Sequence, residues 1–162
     1  MTLRKSQAKL VFVVAMGLMV SACGGLDGDI KRGELDYENY TAKQIFERGE
    51  FDLARNDPDL AAQVFGEVER LYPYSEWAKR ALIMQAYSYH QDQDYENSRS
   101  AAQRFIDFYP TDEDAAYAQY LLALSYYDQI EDVGRDQGVT FQALQALREV
   151  IERYPESDYA RS

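Results

Sequence analysis

V-E-R-L-Y-P-Y-S-E-W-A-K-R, residues 68–80, is a unit that the chain restates twice. It returns as F-I-D-F-Y-P-T-D-E-D-A-A-Y at 105–117 and as V-I-E-R-Y-P-E-S-D-Y-A-R at 150–161. Each copy reads as the end of one helix, a Tyr-Pro stop, a polar capping residue and the start of the next helix. Punctuation of this kind at a fixed period is the signature of a helical solenoid, whose repeats bury their apolar faces only by stacking on one another.

Working outward, Thr41 with Gln44 three residues later forms a capping box for a helix from about Ala42 to Arg55. Asp57 caps the next, with Pro58 in the first turn, where a missing N–H costs nothing. Along that helix Ala61, Val64, Phe65, Val68 and Leu71 recur at three and four residues, one apolar stripe that ends at Tyr72-Pro73. Ser75 caps a helix through about Gln91, and the Asp92 to Asp94 turn leads into another that ends at Tyr109-Pro110. Thr111 or Asp112 opens a third pair.

The spacing is regular. Pro73 and Pro110 are 37 residues apart, as are Gly49, Ala86 and Ala123, and again Ala61 and Ser98. Small residues at these positions mark where the two helices of a pair cross closely. Pro110 to Pro155 is 45, so eight extra residues sit in the third repeat, between Ala123 and the shifted Ala143. They fall in I-E-D-V-G-R-D-Q-G, 130–138, which is expected to form a projecting loop or a helix extension.

A period near 34, small crossing residues and a closing Pro characterise the tetratricopeptide repeat, and these units are slightly longer. The expected fold is all-α: a right-handed solenoid of tetratricopeptide-like helix pairs, repeats about 41–73, 75–110 and 112–155, with the start of a fourth from Glu156. Stopping there leaves the stripe Leu144, Leu147, Val150 and Ile151 without a covering helix, so the sequence reads as a fragment.

Of 162 residues, 46% are hydrophobic and 14% aromatic, enough for one folded domain of 37–162. Fourteen tyrosines against one tryptophan suit interfaces, because each ring joins a packing face to a hydroxyl that tolerates water. Seventeen basic against 28 acidic residues give a net charge of −11, which argues against nucleic acid as a partner.

At the N-terminus, Arg4, Lys5 and Lys9 precede an apolar run from Leu10 to Val20, then Ser21, Ala22 and Cys23. A basic segment, an apolar core and small residues describe a cleavable signal peptide over 1–22, whose 11-residue apolar core is too short to span a bilayer, which needs about 20. Val20-Ser21-Ala22-Cys23 resembles the bacterial lipobox, which implies that Cys23 is lipidated and becomes the mature N-terminus. The plainer alternative is an ordinary signal peptide with an incidental cysteine. Loss of 1–22 removes three positive charges and no acidic one, taking the net charge from −11 to −14. Residues 23–36 hold glycines and no apolar periodicity, and read as a lipidated flexible tether. Gly24 rather than Asp after the cysteine implies, by resemblance to lipoprotein sorting signals, outer-membrane placement.

Catalytic and cofactor chemistry has little foothold. His90 is the only histidine and Cys23 the only cysteine, so a Ser-His-Asp arrangement or a Cys/His zinc site has no support. Acidic runs such as Asp112-Glu113-Asp114 lack calcium-loop spacing and suit a helix start. No enzyme activity and no cofactor are expected.

Four features together resemble the BamD family, lipoproteins of the outer-membrane β-barrel assembly machinery: the lipobox, the Tyr-Pro repeat ends, A-Y-A-Q-Y-L-L-A-L-S-Y-Y at 116–127, and the insertion ending Arg135-Asp136-Gln137. The resemblance covers the N-terminal repeats of that family. It implies a scaffold that binds unfolded outer-membrane proteins and a BamA-like barrel subunit, with Arg135, Asp136 and Gln137 as insertion-loop contacts. A tolerated surface loop without a partner is the alternative for that insertion. A Tol-associated periplasmic repeat protein carries similar Tyr-Pro motifs but has a coiled coil and no lipobox; an unrelated accessory lipoprotein is a third reading.

In such stacks the first helix of each pair lines the concave face. Counting from Ala86 and Ala123 places Arg80, Tyr87, His90, Tyr117, Tyr120 and Tyr127 near it. Rings beside a cation suit an extended, aromatic-ended peptide; the alternative is that individual tyrosines pack between repeats.

Overall fold

A computed structural model describes residues 36–130 and 137–161. These form α1 (Ala42–Ala54), α2 (Pro58–Leu71), α3 (Glu76–Gln91), α4 (Tyr95–Phe108), α5 (Ala115–Tyr127) and α6 (Gln137–Arg153), with short 3-10 turns at Tyr37–Asn39 and Asp158–Ala160. No strand occurs among the described residues. The helices pack in sequence as three antiparallel pairs, the tetratricopeptide-like solenoid that the period predicts.

Local capping sets the helix ends. Thr41 and Gln44 form the reciprocal capping box, and Asp57, Ser75 and Asp94 each accept from a backbone N–H three residues on. The turns inside the first two pairs share one geometry. Asn56 (φ 61°) and Gln93 (φ 64°) take the left-handed conformation. Their N–H groups bond Leu53 O and His90 O, while Asp57 N and Asp94 N reach back to Asp52 O and Tyr89 O. This is the paired closure that satisfies the last carbonyls of a helix, and each Asp then caps the next helix.

The Tyr-Pro turns between pairs also repeat. Tyr72 and Tyr109 have nearly identical backbone angles, φ −133°, ψ 53° and φ −131°, ψ 53°, outside the helical region that a following proline disfavours. In all three copies the tyrosine N–H bonds a carbonyl four residues back, at 2.8–3.0 Å, and its own carbonyl accepts from the residue two after the proline. Ser75 Oγ and Ser157 Oγ add a bond to Tyr72 O and Tyr154 O and accept from Ala78 N and Ala160 N. The third pair opens differently from the expectation at Thr111 or Asp112: α5 begins at Ala115, and its N-cap Asp114 makes no side-chain cap bond. The reason is Asp112. Its Oδ1 accepts from Asp114 N and its Oδ2 pairs with Lys79 Nζ at 2.7 Å, so it stitches one pair to the next instead of capping a helix.

Crossings are close where the small residues lie. A Cβ on Gly49 would meet the buried Phe65 ring at 2.6 Å. Ser98 Oγ donates to Ala86 O at 2.9 Å, a side chain of α4 against the backbone of α3. Ala61, Ala86 and Ala123 are fully buried. Two apolar clusters result. One joins α1, α2 and the start of α3 around Phe46, Phe65 and Val68; the other runs from Leu82 through Phe105 and Leu121 to Val150. Completely burying such a side chain contributes about 1.5–3 kcal/mol. On α6 the predicted stripe divides: Val150 is buried and Leu147 partly so, whereas Leu144 and Ile151 lie more than half exposed, as does Phe141.

The third intrapair connection departs from the other two. Ile130 occupies the place of Asn56 and Gln93 and makes the equivalent bond to Tyr127 O, yet it is not left-handed. A β-branched residue is strongly disfavoured there. Residues 128–136 separate α5 from α6, against 55–57 and 92–94 in the earlier pairs. Gln137 and Gly138, the last two residues of the predicted insertion, form the start of α6, which makes that part a helix extension. Arg99 fixes the end of α5 before this departure, its Nη1 bonding Ser125 O and Gln129 Oε1 and its guanidinium lying 4.4 Å from the Tyr126 ring centre.

Candidate functional site

The first helices form an inner row. Helix α1 packs on α3 and α3 on α5, in addition to their sequence neighbours, and the second helices make no comparable contact with one another. A row drawn together on one side is the concave side of a solenoid. Helix α5 is apolar on nearly every side and largely buried, as its inner position requires.

At the N-terminal end of this row, Arg80 of α3 lies over two rings, 5.0 Å from the centre of Phe46 and 4.9 Å from that of Trp77. Phe46, buried, is tilted against both Trp77 at 5.2 Å and Phe65 at 5.3 Å. Arg80 itself is exposed, and no carboxylate pairs with it among the described residues. The cation is positioned by π faces alone.

Two repeats further on, Tyr120 occupies the position of Phe46, and Tyr159 that of Trp77. Tyr159 stacks on Tyr120 at 5.3 Å and tilts against Tyr117 at 5.4 Å. Tyr87, Tyr117 and Tyr120 are half-buried and pack on the larger core. Burial pushes the Tyr117 hydroxyl up to about 12, with smaller contributions from Tyr87, Tyr159, Asp114 and Tyr120. These rings form one phenolic cluster.

His90 sits apart from both. Its Nε2 lies 3.0 Å from Asp128 Oδ2, near enough for an ion pair when the imidazole is protonated though not aligned as a hydrogen bond, and its ring meets the edge of Tyr95. Tyr127 is exposed at the end of α5.

Thus the structure brings Tyr87, Tyr117 and Tyr120 together, sets Arg80 on a separate aromatic platform, and leaves His90 and Tyr127 toward the other helix ends. Sequence reasoning omitted Phe46, Trp77 and Tyr159. The repeat period would have found them: Phe46 is two periods before Tyr120, and Trp77 and Tyr159 both stand four residues after a repeat-closing proline. Gln137 is exposed at the first turn of α6. Cys23, Arg135, Asp136, the signal segment 1–22 and all but the last residue of the tether lie outside the described residues. Among the described residues no three His, Cys, Asp or Glu side chains are grouped to hold a metal ion, and no helix is long and apolar enough to cross a membrane.

A family model described as an outer membrane lipoprotein, YfiO, matches residues 38–162. The chain is 39% identical over 158 residues to the outer membrane protein assembly factor BamD of Caulobacter vibrioides, covering 98% of this chain and 52% of that protein. BamD of Rickettsia prowazekii is 36% identical over 116 residues, 72% of this chain and 46% of the relative. BamD of Neisseria meningitidis serogroup A is 24% identical over 162 residues, 94% and 60% respectively. The chain spans about half the length of the curated relatives it matches. With a matched region that contains all six helices and every Tyr-Pro turn, the chain belongs to the YfiO outer membrane lipoprotein family, the family of BamD.

Proposed function

We propose that this chain is a non-catalytic scaffold in outer-membrane β-barrel protein assembly, and that it binds unfolded outer-membrane proteins along the inner row of first helices. The relatives' naming as assembly factors supports the process. The observation that carries the binding role is the row of aromatic residues on α3 and α5, with Arg80 at one end and Tyr87, Tyr117 and Tyr120 further along. Extended peptides lack side-chain packing of their own, and half-buried phenols offer them apolar faces with wet hydroxyls. In this reading residues 1–22 are removed, Cys23 carries lipid, 23–36 tether the domain 37–162 to the periplasmic face of the outer membrane, and a BamA-like subunit is a partner. Arg135, Asp136 and Gln137 are the loop contacts to such machinery.

The test is binding of a peptide with the sequence character of a barrel's C-terminal strand to the wild-type chain and to the Tyr87→Ala, Tyr120→Ala double variant. The double variant is expected to keep its helical circular dichroism and lose most of its affinity. Unaltered affinity in a folded double variant places the peptide elsewhere.

A further inference from the structure

We infer that the edge of the solenoid formed by the inter-pair turns lies against a zwitterionic phospholipid surface, with Tyr40, Tyr74 and Phe108 as its contact points. This rests on the reading above that Cys23 carries lipid. Antiparallel packing gathers the starts of α1, α3 and α5 and the ends of α2 and α4 on one edge. There the Tyr72 hydroxyl donates to Tyr40 O, and Lys79 Nζ pairs with Asp112 Oδ2 at 2.7 Å, so the turns of successive repeats are held together. Tyr74 is wholly exposed, and Phe108 and Tyr40 are 64% and 44% exposed. The turns do not need these rings: they close in the same way with Thr111 or Glu156 in the place of Tyr74, and with Leu71 or Arg153 in the place of Phe108. Along the second helices the contrast is plain, because α2 exposes no large apolar side chain and α4 exposes only Phe108, at this edge.

The course of the chain and its charge select the occupant. Cys23 and Asp36 are 13 positions apart, so connectivity alone keeps Asp36 within about 45 Å of an anchored Cys23. Asp36 leads into α1 at this same edge, and the opposite edge stands a helix length, about 20 Å, beyond it. Of the two edges, the one with the rings is therefore the one nearer the anchor. Rings set singly at successive turns, with neighbouring helix axes about 8–10 Å apart, suit a broad flat partner. A tyrosine or phenylalanine at a bilayer surface places its ring at the headgroup level, and a phenol keeps its hydroxyl wet. Lys43, Arg70 and Lys79 at this edge are each paired with a carboxylate, whereas Asp36, Glu38, Glu76 and Glu113 are exposed. A neutral headgroup layer fits such a surface, and an anionic one is repelled by it.

Cys23 is the only cysteine, and Trp77, in the first turn of α3 at this edge, is the only tryptophan. The chain from Cys23 onward is coupled through its thiol to phosphatidylcholine vesicles that carry a nitroxide on the headgroup, and quenching of Trp77 fluorescence is read. Quenching is expected in the wild type. It should fall at least about threefold in the Tyr40→Ser, Tyr74→Ser, Phe108→Ser variant with unchanged circular dichroism, and fall also when about one-third of the lipid is phosphatidylglycerol. Should the triple variant unfold, Tyr74→Ser alone, at a wholly exposed side chain, is expected to show part of the loss. No quenching in the wild type, or quenching unchanged in the folded variant, overturns the inference. Quenching that strengthens with phosphatidylglycerol assigns the contact to cations and overturns it as well. Each of these results leaves the anchor reading standing, and that reading is tested by the intact mass of the chain extracted from cell membranes: an unacylated Cys23 overturns it and the inference with it.

Discussion

The two ends of the inner row carry the same architecture with opposite surface chemistry. Phe46 and Tyr120 stand two repeats apart at one repeat position, and each receives a ring from the segment just after the next repeat-closing proline, Trp77 of α3 at 5.2 Å and Tyr159 of the 3-10 turn at 5.3 Å. At the first end the inner ring is buried and an exposed guanidinium covers it; at the second the ring is half-buried against the core and stacks on Tyr159, which also tilts against Tyr117. A repeat therefore fixes where a side chain stands, whereas the neighbour that the sequence varies decides whether the position is core, cation platform or aromatic contact.

The comparison breaks most sharply at the rings themselves. Phe46→Ala removes a buried ring that touches Phe65, Trp77 and Arg80, and is expected to cost about 3–5 kcal/mol. Tyr120→Ala, at the half-buried equivalent, should cost clearly less in the same urea titration. Equal losses would show that the two ends are energetically alike. The crossing beneath Phe46 is tested by Gly49→Ala: the added methyl meets the Phe65 ring at 2.6 Å, inside a core with no slack, so a loss of about 1–3 kcal/mol is expected.

The phenolic end should also titrate. Tyr117 keeps its proton to about pH 12, whereas an unfolded tyrosine ionises near 10. Between those values the native state holds more protons than the unfolded state, so this residue's stabilising contribution, complete below about pH 10, is lost progressively as pH rises toward 12. Tyr117→Phe should flatten that part of the pH–stability curve, measured by thermal melting from pH 9 upward. Asp112 acts on the acid side. Lys79 and the Asp114 amide hold its carboxyl below the ordinary value, so its contribution is present at neutral pH and disappears as the group is protonated.

The smallest expected effect lies in the intrapair turns. Gln93→Gly relieves a left-handed side-chain residue and should stabilise by roughly 0.5–1 kcal/mol, read as a rise in melting temperature. Ile130→Gly should give no such gain, because Ile130 is not left-handed. A gain of the same size at both would mean that the third turn already closes as the first two do.

Much of the fold was legible because its signals are local. The Thr41–Gln44 box, the Asp57 and Ser75 caps, the Tyr-Pro stops and the 37-residue spacing each depend on residues within one turn or on simple counting. The site was less legible. Period places Arg80 and the tyrosines on α3 and α5, but Phe46 reaches Arg80 from 34 residues earlier, and Tyr159 reaches Tyr117 and Tyr120 from 42 and 39 residues later, in the 3-10 turn; only Trp77 is local, one turn before Arg80 on α3.

By itself, then, the sequence determined the helix pairs, their crossings and the location of the extra residues, since backbone capping and proline geometry are settled by adjacent groups. Only the tertiary structure decided that Asp112 joins Lys79 rather than capping α5, that Val150 turns inward while Ile151 stays exposed, and that Arg80 rests on rings instead of a carboxylate. Those outcomes depend on which side chain from a neighbouring repeat reaches the position first, and a pattern read along one strand of sequence holds no distance between repeats.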